Sequence, residues 1–296
     1  MTRNLPAWRS LLYVPTTSDR FIEKSAATGA DAIILDLEDA VAPAEKPRAR
    51  ARLAMAVPRA ARGGAEIVVR INRPWRSLVA DLEAAVIAGV RALMLPKIDN
   101  AEQVRVVSEM TGEWESERGL APGAIGLIPM VETARGFFHA DAIAASDARV
   151  IGLTLGSEDF SLSMGAVPGP EALFYPKQQI VIAARAAGVL PIGLLSSVAD
   201  FTDLDAFRAV LQRSRQLGFV AAPAIHPVQI PLINEAYTPS QADVAAAERL
   251  IAANEEALAA GRGAFALDGK MVDVPVVERA RNTLARAAAI ARRSGA

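Results

Sequence analysis

No cysteine occurs anywhere in the chain, which removes disulfide frameworks, thiol nucleophiles and zinc-thiolate sites at once and fits a reducing cytoplasm. Histidine is almost as scarce. Only His139 and His226 are present and no G-x-S-x-G elbow accompanies them, so a Ser-His-Asp relay has little to draw on. Net charge is nearly absent as well: 32 Lys+Arg against 33 Asp+Glu leave -1, and no segment clusters basic residues with aromatics, which argues against a nucleic-acid partner. No apolar run approaches the roughly 18 residues of a membrane span. The opening Met-Thr-Arg-Asn-Leu-Pro lacks the charged-then-apolar order of a signal peptide. Neither a G-x-G-x-x-G after a strand nor a Walker lysine loop is found, so dinucleotide and P-loop chemistry lose their usual support. A cytoplasmic protein acting on small molecules is the expectation.

What is present is a repeat. Short apolar runs at 11–15, 32–39, 67–72, 92–97, 125–132, 150–159, 190–196 and 219–226 alternate with helical periodicity at 44–61, 78–88, 101–111, 134–145, 177–187 and 204–217. Eight such βα units close most simply as a TIM (β/α)8 barrel, with an open doubly wound sheet as the alternative. After the eighth run the pattern changes. Helices are expected at 227–237 and 241–260, then a Gly-rich break at Gly261-Arg-Gly263, a hairpin turning at Asp268-Gly269, and a helix over 276–293. This divides the chain into a barrel at 1–236 and a helical extension at 237–296 with the character of a lid.

In barrels the working groups sit at the carboxyl ends of the strands. That edge holds Asp36, Glu38, Asp39, Arg70, Lys97, Glu132, Glu158 and Asp159. A carboxylate closing a hydrophobic strand is costly unless something positive meets it, and oxygen ligands without cysteine favour a hard cation such as Mg2+. Glu132 and Asp159 are therefore the expected metal pair, against the plainer reading of Glu132 as an anion at a helix N-terminus. On an extended backbone Glu158 and Asp159 point opposite ways, and Asp159 is the choice. Arg70 holds either a substrate's negative charge or the Asp36/Glu38/Asp39 cluster in a structural ion pair. Asp36 and Glu38 share a face and come second to it at the substrate, leaving Asp39 opposite. Lys97 stands where an aldolase places a Schiff-base lysine, although an ordinary ion pair explains it as well. His226 reads equally as a packing residue and His139 as structural. Asp273 precedes Val274-Pro275 as a good helix N-cap.

Taken together, the motifs Arg9-Ser-Leu-Leu-Tyr-Val-Pro15, Asp36-Leu-Glu-Asp-Ala-Val41 with Glu45-Lys46, Val69-Arg-Ile-Asn72, Leu95-Pro-Lys97, Val131-Glu-Thr-Ala134, Gly156-Ser-Glu-Asp159, Ala224-Ile-His-Pro227 and Met271-Val-Asp273 resemble, in this order, the HpcH/HpaI aldolase and citrate lyase beta-subunit family. The chain looks like its CoA-ester lyase branch, that of malyl-CoA and citramalyl-CoA lyases. The resemblance implies a TIM barrel, a C-terminal lid that covers a neighbouring subunit's site, and a homotrimer or hexamer. It implies Mg2+ on Glu132 and Asp159, Arg70 on the oxygens of a 2-oxo acid, Asp273 as the general acid/base, and Arg20 and Lys24 near the phosphates of coenzyme A. The reaction implied is cleavage of a 3-hydroxyacyl-CoA to acetyl-CoA or propionyl-CoA plus glyoxylate or pyruvate. Departures from the family pattern fall at Thr16-Thr-Ser-Asp19, at Gly193 where an aspartate is frequent, and at Ala222-Pro223-Ala224. A citrate lyase beta subunit working on an acyl-carrier partner, a Schiff-base aldolase using Lys97, a thioester hydrolase and a non-catalytic CoA-ester sensor are the rival readings.

Overall fold

A computed structural model describes residues 5–197 and 202–294, so the N-terminal Met1 to Asn4 reading lies outside the described residues. Eight strands, β1 (Ser10–Pro15), β2 (Ala32–Asp36), β3 (Glu66–Arg70), β4 (Val90–Leu95), β5 (Gly126–Val131), β6 (Gly152–Leu155), β7 (Leu190–Ile192) and β8 (Ala222–Ala224), pair in the order β7-β6-β5-β4-β3-β2-β1-β8. Every pairing within this sheet is parallel, and a bridge between Ile192 and Ala221 joins β7 back to β8. The sheet is a TIM-like barrel rather than an open doubly wound sheet. The helices in chain order are α1 (Asp19–Ser25), α2 (Lys46–Ala60), α3 (Trp75–Ala85), α4 (Ala101–Glu117), α5 (Ala134–Phe137), α6 (Ala140–Ala144), α7 (Ser157–Met164), α8 (Pro170–Ala186), α9 (Leu204–Leu217), α10 (Gln229–Tyr237), α11 (Gln241–Ala259) and α12 (Val274–Ser294).

The strands are nearly continuous apolar runs because helices cover their outer faces while side chains fill the inside. Alternation selects the filling. Ala32 and Ile34, Ala92 and Met94, Ile128 and Met130, and Leu190 and Ile192 join one buried cluster with Leu11 and Val68. Continuing the same two-residue step toward the carboxyl rim reaches Tyr13, Asp36, Arg70 and Glu132. The packed apolar layers thus end in a charged layer, and the parallel register sets Pro15 beside Asp36 and Asp36 beside Arg70.

Several strands end earlier than the hydrophobic pattern suggests. β6 stops at Leu155, and Gly156 caps a helix whose first turn carries Glu158 and Asp159. The two carboxylates therefore diverge by the turn of a helix, not by strand alternation. A Cβ on Gly156 would overlap Glu132 Oε1 and lie 2.7 Å from its Cγ, so glycine is what lets the chain turn beside that carboxylate. The helix expected at 134–145 is broken in two, with His139 exposed between the pieces.

The chain divides into two compact units, Met1–Glu235 and Ala236–Ala296. In the second, α11 begins with a capping box in which Ser240 and Asp243 satisfy each other's backbone N–H groups. The hairpin of β9 (Phe265–Leu267) and β10 (Lys270–Val272) turns through Asp268 and Gly269 at φ 47° and 73°, the left-handed pair a two-residue turn of this kind requires. Among the described residues no helix is long and apolar enough to cross a membrane.

Candidate functional site

A cleft of about 480 Å³ opens at the carboxyl rim, with Asp36, Asp39, Arg70, Glu132, Asp159 and Lys177 among its lining and Tyr13, Met130, Leu155, Pro223 and Ile225 as its apolar wall. All of these belong to the first unit.

Arg70 is the hub. Its Nε and Nη2 donate to the two oxygens of Asp36 at 2.8 and 2.7 Å, while Nη1 lies 2.9 Å from Glu38 and 3.3 Å from Asp39. The guanidinium also sits 4.8 Å from the centre of the Tyr13 ring. Burial works against its charge, but Asp36 and the other anions outweigh that and hold its pKa above the usual arginine range. The structural ion pair weighed for Arg70 is thus formed in full. Asp36, 1% exposed, also accepts from the backbone N–H groups of Glu38 and Ala40, so its oxygens are spent on fixing the arginine and the turn that follows. Strand alternation had set Asp39 apart from Asp36 and Glu38. All three meet Arg70 because β2 ends at Asp36 and a turn, where alternation no longer applies, carries the other two. Lys46 staples that turn by donating to the carbonyls of Leu37 and Glu38, both at 3.0 Å, and to Asn72 Oδ1 at 2.6 Å.

Lys97 occupies the centre of the acidic group. Its φ of 53° swings it out of the strand direction, its Nζ lies 2.9 Å from Glu38 and 3.5 Å from Asp159, and its backbone N–H donates to Glu132 Oε2 at 2.7 Å. Burial lowers the lysine's pKa, yet Glu38, Glu132 and Asp159 raise it by more, so Lys97 is firmly protonated. A protonated amine paired to two carboxylates is the opposite of a Schiff-base nucleophile, and the ion-pair reading of Lys97 holds. Glu158 is exposed and, among the described residues, forms no such ion pair at the rim, which separates it from Asp159.

Glu132 is 3% exposed, and burial, only partly offset by Lys97, pushes its carboxyl up to about 7. Glu38 and Asp159 push in the same direction. A carboxylate so placed gains most from an added cation. Among the described residues no three acidic or histidine side chains form a ready-made metal cage. That suits Mg2+, which is usually held by one or two carboxylates while waters and substrate oxygens complete the octahedron. Glu132 and Asp159, both on the cleft and both facing Lys97, fit such an open site.

Residues 9–227 match the HpcH/HpaI aldolase/citrate lyase family. The chain belongs to that family. Citrate lyase subunit beta of Escherichia coli strain K12 is 36% identical over 284 residues, 94% of this chain and 93% of that protein. L-malyl-CoA/beta-methylmalyl-CoA lyase of Rhodobacter capsulatus is 35% identical over 295 residues, 92% of each. The structure of protein CitE from Mycobacterium tuberculosis in complex with magnesium, acetoacetate and coenzyme A superposes with a TM-score of 0.74 at 34% identity, covering 94% of this chain and 97% of that one.

Of the other residues singled out in the sequence, Gly193 lines the cleft, whereas Arg20, Lys24, Asp273 and His226 stand apart from it. Arg20 and Lys24 are exposed one turn apart on α1. Asp273 lies in the second unit, exposed, and accepts from the Val276 N–H at 3.4 Å as an N-cap. His226 is exposed, with Nδ1 accepting from the Val228 N–H at 3.3 Å. Gly193, at φ 154°, has the Phe219 ring 2.9 Å from where a Cβ would stand, so the aspartate frequent in the family has no room here. Sequence reasoning passed over Lys177. Its signal was legible: a lysine in the buried stripe Leu173, Lys177, Ile180, Ala184 of α8, where the helical period asks for an apolar side chain.

Proposed function

We propose that the chain is a Mg2+-dependent carbon-carbon lyase acting on the CoA thioester of a 3-hydroxy acid, a cytoplasmic enzyme releasing acetyl-CoA or propionyl-CoA and a 2-oxo acid such as glyoxylate or pyruvate. The observation that carries this reading is the buried carboxyl of Glu132 beside Asp159 and Arg70 on one cleft. Glu132 and Asp159 hold the metal, which when bound supplies a Lewis acid for the substrate's hydroxyl and carboxylate oxygens. Arg70 places a fixed positive charge where the alkoxide becomes a carbonyl. Asp39, the longest and most exposed of its three ion-pair partners, is the one a substrate carboxylate displaces at least cost. Asp36 and Glu38 border the substrate and keep Arg70 aimed at it. Tyr13, Met130, Leu155 and Ile225 give the cleft a dry wall, which strengthens the charge interactions opposite.

Asp273 is the group that protonates the thioester enolate, and it reaches the cleft from the second unit of a neighbouring copy in a trimer or hexamer. The exposed apolar side chains Phe138, Leu162, Val167 and Tyr175 suit such an assembly. Arg20 and Lys24 meet the phosphates of coenzyme A. The test is an assay of purified protein with Mg2+ on malyl-, methylmalyl-, citramalyl- and citryl-CoA, with no carrier protein. Glu132→Gln and Asp159→Asn are expected to abolish the metal-dependent cleavage while circular dichroism stays unchanged. Full activity in either removes the metal reading.

A further inference from the structure

Lys177 is, among the described residues, the basic side chain on the cleft that takes no part in the rim's ion pairs. It is 2% exposed, and among the described residues no carboxylate stands within ion-pair distance of it. Its Nζ donates instead to Ser157 Oγ at 2.7 Å and to the Ser196 carbonyl at 3.1 Å. A buried basic group without a counter-ion costs stability, so its retention in an apolar stripe calls for a compensating role.

The two acceptors belong to different βα units. Ser196 follows β7, and Ser157 opens α7 two residues before Asp159. That helix begins without a side-chain cap, because its N-cap position is Gly156 and a Cβ there would collide with Glu132. Clearance for one carboxylate thus leaves the turn carrying the other without the usual anchor. The bond from Lys177 to Ser157 supplies it.

Resting on the metal reading above, we infer that Lys177 is a positioning residue for Asp159: from beneath the rim it ties the first turn of α7 to the segment that follows β7 and fixes where the Asp159 carboxylate stands relative to Glu132. A group that orients a metal ligand in this way affects metal affinity as well as turnover.

The experiment titrates Mn2+, which takes the same oxygen ligands, into full-length wild type, Lys177→Met, Lys177→Arg and Ser157→Ala, following loss of the free-ion EPR signal without substrate. Lys177→Met is expected to weaken Mn2+ binding roughly 10- to 100-fold. Ser157→Ala is expected to weaken it by a smaller factor, and Lys177→Arg, which keeps both donors, to stay within a few-fold of wild type. Should Lys177→Met fail to fold, Ser157→Ala carries the test alone. Wild-type affinity in folded Lys177→Met or in Ser157→Ala overturns the inference, as does a loss in Lys177→Arg equal to that in Lys177→Met. Borohydride trapping of pyruvate on Lys177 also overturns it, since the amine would then be a nucleophile. A wild type that binds no Mn2+ removes the metal reading itself, a result distinct from binding that the Lys177 variants leave untouched.

Discussion

Replacing Lys177 by methionine tests the electrostatics of the barrel without touching a rim carboxylate. Burial is the first cause of its shift and lowers the amine from its ordinary 10.5 to about 7, with Glu158 only partly opposing. The sign follows from proton counting. Between those two values the unfolded chain holds a proton on Lys177 that the folded chain does not, so wild-type stability rises with pH across the window and falls as pH drops toward 7. Methionine carries no proton in either state. The stability difference, Met variant minus wild type, should therefore move toward the variant by ~1.4 kcal/mol for each unit the pH is lowered well above 7, and by ~2.3 kcal/mol between pH 9 and 7, because the folded lysine is half protonated at the lower limit. For a unit of this size that is roughly 5 to 10 °C in the relative midpoint. Paired thermal or urea melts at pH 7, 8 and 9 read it directly, and taking the difference cancels every group common to both proteins. Parallel stability curves, with a difference independent of pH, would refute the reasoning, because they would mean that Lys177 keeps its proton in the fold throughout.

Gly156→Ala should destabilise by only ~1–3 kcal/mol, the usual range for overpacking, while lowering Mg2+-dependent turnover far more, since the new methyl displaces Glu132; intact kcat at saturating Mg2+ would contradict this. Arg70→Lys should cost about 3 kcal/mol and most of the activity, because a lysine cannot hold both oxygens of Asp36 at once; denaturant melts and steady-state kinetics report the two losses. Glu115, 1% exposed, accepts from Arg149 at 2.7 Å and from the backbone N–H groups of Gly123 and Ile125 ahead of β5, away from the carboxyl rim. Glu115→Ala is accordingly expected to lose ~3–5 kcal/mol with kcat unchanged, and a fall in kcat without a fall in stability would relocate that pair's role.

The alternation of buried strands and amphipathic helices determined the barrel from the linear chain, because a parallel sheet covered on both faces leaves few other ways to bury eight such runs. The same two-residue period carried Asp36, Arg70 and Glu132 to one rim, and the Asp-Gly turn fixed the hairpin of the second unit. Where the chain left the strands, that period lost its force. Asp159 turned out to stand on the first turn of a helix, Asp39 to join Asp36 and Glu38 at Arg70, and Lys97 to swing inward through a left-handed φ. Those outcomes depend on where backbone hydrogen bonding stops, which neighbouring elements settle. Lys177 shows the limit most clearly: its place in an apolar stripe was written in the sequence, but its partners, Ser157 and Ser196, lie 20 and 19 residues away along the chain. Only barrel closure brings them within reach, and only the burial that comes with closure gives that lysine and Glu132 their shifted charge states.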